Sequence, residues 1–277
     1  MKKNKLPIIH IIMYTVLIIY AFFTLYPFLW AVAASFKPFR EIVGGDLSLL
    51  PNEFTTANYE YIFGRSSLFS RWFLNSVIVS VVGTTINIFL NTMAGYALAR
   101  LNFPGKYRIY YGFLALIMVP AQVLLIPNYL ILRNLGMLDS FTALILPAAI
   151  NLGNIFMMRQ FFMNFPVDVE EAAAIDGLGR FQTFFRIVMP LAKPSISTQA
   201  IFVFMGFWNE FMKPMLYLSS PQKFTLTLGL QTFQGQDGGV RWDYTMAASV
   251  ITIIPIVILY IIFNKYFLQG VRMDGEK

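Results

Sequence analysis

Cysteine is absent from the 277 residues, which excludes disulfides, thiolate metal sites and a cysteine nucleophile. Charge is scarce: Asp, Glu, Lys and Arg together make 13% of the chain, about half of what a soluble domain carries. The one histidine, His10, has no second ligand nearby and reads as a boundary residue at the start of an apolar run. No Gly-x4-Gly-Lys-Ser/Thr phosphate loop occurs, so the chain lacks the usual means of holding and splitting ATP itself. Low-complexity tracts and convincing internal repeats are missing too. What fills the space is apolar: 57% of residues are hydrophobic and the mean hydropathy is +0.62, so lipid is the expected solvent for most of the chain. A net charge of +7 would suit nucleic acid in a soluble protein. In a membrane protein it mainly reports orientation, and no nucleic-acid partner is expected.

Six apolar runs approach or reach spanning length, at about 8–34, 72–98, 107–131, 141–158, 195–217 and 244–267. At about 1.5 Å per residue, each covers or nearly covers a hydrocarbon core roughly 30 Å thick. The fourth is the shortest. The first follows Lys2, Lys3 and Lys5 and is about twice as long as the apolar part of a secretory signal, so it is read as a span. The expected fold class is an all-α membrane protein, a single domain over residues 1–277 with six transmembrane helices. Placing both termini in the cytosol puts 13 of the 21 Lys and Arg residues inside, which fixes the expected orientation of a multi-pass protein of the cytoplasmic membrane. Three hydrophilic segments remain, 36–71 and 218–243 outside and 159–194 inside. Loops of that length are where function concentrates.

The inner loop reads as two short helices. Pro166 and Asp168 suit a helix start, and Glu170 and Glu171 lie in the first turn, where the macrodipole favours anions. The small Ala172, Ala173 and Ala174 let another surface approach closely, and Gly177 stops the helix. Phe181, Phe184, Phe185 and Val188 recur at helical spacing and give the second helix an apolar face before Pro190 and Pro194 end it. On physics alone this is either a protruding loop with a partner-facing surface or an interfacial helix lying on the membrane.

Polar residues inside the apolar runs carry the next signal, because lipid offers them no partners. Thr84, Asn87 and Asn91 share one face of the second run, and Pro147, Asn151 and Asn154 one face of the fourth. Gln122 and Asn128 lie near Pro120 and Pro127, which should bend the third. Such groups either bond between helices or line a solute path. Glu210, in the outer third of the fifth run, either pairs with Lys213 on the helix face or sits with Trp208 and Asn209 at an external gate, where an aromatic surface and polar groups suit a sugar.

The run Glu171-Ala172-Ala173, three residues, Gly177, nine residues, Ile187-x-Met189-Pro190 resembles the EAA signature of ABC-importer permeases, with Met189 where Leu is commoner. Asp176-Gly177 belongs to the same signature. Further blocks resemble the carbohydrate-uptake, MalG-like branch: Tyr96-Ala-Leu-Ala-Arg100, Arg159-Gln-Phe-Phe162, Trp208-Asn-Glu-Phe211, Thr225-Leu-x-x-Gly229-Leu and Met246-Ala-Ala248. The ending Gly270 to Gly275 departs from that branch's usual Gly-rich tail.

The resemblance implies the type I importer permease fold and no enzymatic activity in this chain. It implies a sugar, specifically an oligosaccharide, as substrate, a second homologous permease, and an extracytoplasmic solute-binding protein. Two cytosolic ATPase subunits would bind the ATP and magnesium, leaving this chain without a cofactor or metal of its own. Glu171 becomes the charged contact to the ATPase, on a coupling surface that also takes in Glu170, Ala172, Ala173, Asp176, Gly177, Ile187 and Pro190. The outer loop, with Gln231, Phe233, Gln234 and Gln236, becomes the contact to the binding protein, the alternative being a plain solvated connection. A non-sugar solute such as a glycerol-phosphate is the other substrate reading. An ion-driven transporter would need membrane-buried titratable pairs, for which Glu210 is the one strong candidate, and a channel would need a repeated filter-like segment, of which there is none.

Overall fold

A computed structural model describes residues 8–64, 68–234 and 239–275, with only the backbone path for 233, 234 and 265–275. Among the described residues there are helices and no strands. The chain divides into two compact units, residues 1–70 with 230–254, and 71–229 with 255–277.

The first unit holds α1 (Ile8–Ala34), α2 (Phe39–Val43), α3 (Ala57–Ile62) and the opening of the final helix. α1 has 27 residues, long enough at about 1.5 Å each to cross a bilayer, and of its side chains Ala33 and Ala34 alone are buried by the chain itself. The 36–71 segment, expected to be a hydrophilic loop, is folded around a buried cation. Lys37 is 0% exposed, and its Nζ reaches Asp46 Oδ2 at 3.0 Å, Glu41 Oε1 at 3.2 Å and the Ser48 carbonyl at 2.9 Å. Burial alone would lower its pKa, but the hydrogen bonds to Asp46 and Glu41 outweigh that and hold it above the usual lysine value. Asn58 Nδ2 closes the same loop by donating to the Ser35 and Lys37 carbonyls, both at 2.9 Å.

The second unit is organised on α4 (Phe69–Arg100), whose buried side carries Asn75, Ser76, Ser80, Thr84, Asn87, Asn91 and Thr92. A stripe of small and polar residues lets helices approach closely in a membrane protein. Gly95 is one such point: a Cβ there would stand 2.7 Å from Met158 Cβ. After α5 (Lys106–Ile117) the chain turns through 94° into a short 3-10 turn and α6 (Leu125–Asn134). Pro120 accounts for the turn, since it has no N–H to donate and holds the backbone extended at ψ 131°. Pro127 sits in the first turn of α6, where no donor is needed, and leaves that helix intact.

The fourth expected span, 141–158, is not one helix. It is α7 (Phe141–Ile145) and α8 (Leu152–Met163), parted by a turn at Pro147. Then come α9 (Val167–Ile175), α10 (Arg180–Thr183), a π-helical turn over Phe184–Val188, α11 (Met189–Leu191) and, across a 77° bend, α12 (Lys193–Trp208). The fifth expected span, 195–217, also breaks: α12 stops at Trp208 and α13 (Met212–Tyr217) starts after Asn209–Phe211. α14 (Leu226–Leu230) precedes α15 (Trp242–Gly275). Among the described residues α1, α4 and the Trp242–Asn264 part of α15 are long and apolar enough to cross a membrane, and counting each bent pair as one span raises that to five. Two apolar cores hold the second unit. One joins Val79, Leu144, Tyr217 and Leu228, and the other joins Tyr96, Met158, Phe162, Phe184 and Val188 beneath α9.

Candidate functional site

The 159–194 loop forms the two helices its sequence predicts. α9 opens after Pro166 with Asp168 and Glu170 in its first turn, and it ends where Gly177 takes φ +79°, a conformation that costs a glycine nothing. The two adjacent glutamates then part company. Glu170 turns inward, where Oε1 lies 2.9 Å from Arg100 Nε and Oε2 accepts a 3.1 Å hydrogen bond from Tyr96 Oη. Arg100 also donates to the Phe165 carbonyl, so the end of α4 grips the start of α9 from two sides. Glu171 is left exposed beside exposed Ala172, Asp176 and Gly177.

Two expectations are revised by this packing. Glu170 and Ala173 were expected on the partner-facing surface, but Glu170 is tied to Arg100 and Ala173 is 2% exposed. The second helix does not offer a single apolar face either. Phe184 and Val188 are buried while Phe181 and Phe185 stand exposed, because the π-helical turn changes the register of side chains along it. Ile187 is half-buried and Pro190 exposed at the end of that segment.

The asparagines that the sequence places on two separate runs converge. Asn87 Nδ2 donates to the Ala148 carbonyl at 2.7 Å, and Asn154 Nδ2 donates to Asn87 Oδ1 at 3.0 Å. Asn91, wholly buried, donates to the Asn87 and Ala149 carbonyls and accepts from Asn151 N–H at 3.0 Å. Asn151 Oδ1 then caps α8 by accepting from Asn154 N–H at 3.0 Å. The quartet thereby satisfies backbone groups that the α7–α8 break exposes, which lipid could not do.

Three of these asparagines also line a cleft of about 260 Å³, together with Phe202, Phe207, Glu210, Lys213 and Thr225. Glu210 lies in the break between α12 and α13. Its Oε1 accepts from Met212 N–H at 3.1 Å, capping α13, and its Oε2 is 3.3 Å from Lys213 Nζ. Glu210 thus both pairs with Lys213 and lines the cleft. Trp208, expected at an external gate, is 1% exposed, stacked on Phe204 at 5.6 Å and edge-on to Phe73 at 5.8 Å, so it is core and does not line the cleft. Asn209 ends α12 and is exposed outside the cleft lining. Phe207 supplies the aromatic surface instead, seated against Gly83 of α4. Only the absent side chain at Gly83 hints at this in sequence.

The 218–243 segment is more ordered at its start than its polar composition suggests. Asp139, at φ +55°, accepts from the N–H groups of Ser219 at 3.0 Å and Ser220 at 2.9 Å, and pairs with Lys223 Nζ at 2.9 Å. The Ser220 hydroxyl bond comes first among the interactions that hold this carboxyl well below the usual carboxylate range. Gln231 is exposed at the head of a 3-10 turn over Gln231–Gln234 that includes Phe233, whereas Gln236 lies outside the described residues.

Membrane-length apolar helices, an exposed two-helix loop and a polar cleft are features of a membrane transport protein. Residues 91–273 match the family of binding-protein-dependent transport system inner membrane components, and the chain belongs to that family. It is 35% identical to the arabinooligosaccharides transport system permease protein AraQ of Halalkalibacterium halodurans, over 100% of both chains. It is 32% identical to the polygalacturonan/rhamnogalacturonan transport system permease protein YtcP of Bacillus subtilis, over 99% of both. Among solved structures it is similar to a chain of a bacterial ABC transporter involved in import of the acidic polysaccharide alginate. The TM-score is 0.85 and the identity 25%, covering 96% of this chain and 99% of that one.

Proposed function

We propose that this chain is one of two transmembrane permease subunits of an ATP-driven oligosaccharide importer, working with a second homologous permease, two cytosolic ATPase subunits and an extracytoplasmic solute-binding protein. The observation that carries the reading is the anchored α9. Its inward glutamate is bonded to the end of α4 while Glu171 and Ala172 face outward, which is the arrangement a rigid coupling element needs. Push on Glu171 and the force passes through Glu170 and Arg100 into the helix that carries Asn87 and Asn91. The cleft follows as the half of the path this chain contributes, and alternation between inward-facing and outward-facing packings follows from differential binding of ATP and loaded binding protein to the two states.

Family membership and the sugar-polymer names of relatives support a carbohydrate cargo. Both termini lie in the cytosol in this reading, which sets the 159–194 loop against the ATPases and Gln231 outside. ATP and magnesium belong to the ATPase subunits, since this chain has no phosphate loop. The test is reconstitution in proteoliposomes: oligosaccharide uptake should require ATP, the binding protein and an ATPase that co-purifies with this chain. Uptake driven by an ion gradient without ATP would refute it.

A further inference from the structure

Cargo charge is the property the cleft constrains most directly. Its charged lining residues are Glu210 and Lys213, and they neutralise each other at 3.3 Å. Glu210 is fixed in place by the Met212 and Lys213 N–H groups as well, so it cannot swing aside to release its partner without uncapping α13. The other polar groups are uncharged. Among the described residues the Asn151 amide nitrogen and the Asn154 amide oxygen take no part in the asparagine network, leaving one donor and one acceptor available, while the Thr225 hydroxyl is itself buried.

Uncharged amide groups beside Phe202 and Phe207 match the hydroxyls and the apolar ring face of a sugar. A sugar carboxylate entering the same space would lose its water, find Lys213 already taken, and meet Glu210 at short range. We infer that the translocation cleft of this chain, read as an oligosaccharide permease, is built for neutral oligosaccharides and discriminates against uronate-bearing ones through the Glu210–Lys213 pair.

The test uses the complete importer, reconstituted with its partner permease, ATPases and binding protein. Uptake of a neutral oligosaccharide is compared with that of a size-matched oligosaccharide ending in a uronate. Glu210→Gln keeps an oxygen to accept from Met212 and Lys213 while freeing the ammonium, so the uronate-to-neutral uptake ratio should rise about fivefold over the wild type. Lys213→Met leaves the carboxylate alone in the cleft and should lower the ratio. Because all three assemblies share one binding protein, a change in ratio belongs to the permease. Equal or faster uronate uptake by the wild type, or one ratio for all three, overturns the inference while leaving oligosaccharide import standing. Uptake of neither sugar with ATP hydrolysis intact would overturn the oligosaccharide reading, and the inference with it. If Glu210→Gln fails to assemble, Lys213→Met decides alone, an unchanged ratio being the refuting result.

Discussion

Arg100 Nε and Glu170 Oε1 stand 2.9 Å apart, joining the end of α4 to the first turn of α9, while the next residue, Glu171, is exposed. Two neighbouring glutamates therefore differ in surroundings, and in the proposed importer they would have separate tasks. Glu170→Gln should destabilise the protein by about 2 kcal/mol, since it leaves a mostly buried guanidinium without its counter-charge. Glu171→Lys should change stability by less than about 0.5 kcal/mol yet lower uptake at least tenfold, an order-of-magnitude expectation for a charge reversal at a contact. Thermal unfolding in detergent and ATP-dependent uptake separate the two effects. Identical behaviour of both variants would refute the division.

Gly177 offers a cleaner backbone test, because a Cβ there would meet nothing within 4 Å. Any penalty must come from its φ of +79° alone. Val should cost about 1–2 kcal/mol and Asn much less, since Asn tolerates the left-handed region. Uptake should follow the order Gly, Asn, Ala, Val. A Val variant as active as Asn would mean that the turn is not what positions α9.

What could be read in advance follows from whether the cause is local. α9, its first-turn acids and the Gly177 stop are all settled within a dozen residues, and periodicity with end signals captures them. The bend at Pro120 is local too. By contrast, the junction of Asn87 and Asn91 with Asn151 and Asn154 is a tertiary event, visible from sequence only as two polar faces. The break at Asn209–Phe211 has no proline or glycine inside it, and its local signal is Pro214 just beyond, which has no N–H to bond back to the Glu210 carbonyl and settles into the first turn of α13. Trp208 is an aromatic beside polar neighbours in sequence, yet Phe204 and Phe73 enclose it. Lys37 looks like one more basic loop residue, and the return of Asp46 and Ser48 onto it, together with Glu41 one turn on, makes a buried cation tolerable.

The clamp at Asp139 should be sensitive to acid. Its carboxyl is held below the unfolded-chain value, first by the Ser220 hydroxyl and then by the Ser220 N–H and Lys223. The clamp therefore contributes its full stability above the unfolded pKa, and loses it as pH falls from about 4 toward the folded value. Hydrogen exchange at the Ser219 and Ser220 amides should accelerate over that window in the wild type. Asp139→Asn, which also tolerates φ +55°, should exchange faster at neutral pH and show no such acid step. A wild-type exchange rate indifferent to pH over that window, once intrinsic exchange is corrected for, would count against the clamp.

Two glycines that admit aromatic rings should respond differently to a methyl group. At Gly229 a Cβ would fall 2.2 Å from the Trp72 ring, which is 5% exposed and held by a 2.8 Å bond from its Nε1 to the Pro221 carbonyl. That ring has no room to retreat, so Gly229→Ala should cost about 1–3 kcal/mol of stability. At Gly83 the clash, 2.5 Å, is with the tip of Phe207, a half-buried ring bordering the cleft. Here the ring can swing into the open space, so Gly83→Ala should cost little stability and instead narrow the path. Uptake of a long oligosaccharide should then fall more than that of a disaccharide, and Phe207→Leu in the same chain should restore the long one. Equal loss for both sugars, without recovery by the second change, would show that Phe207 does not border the route the cargo takes.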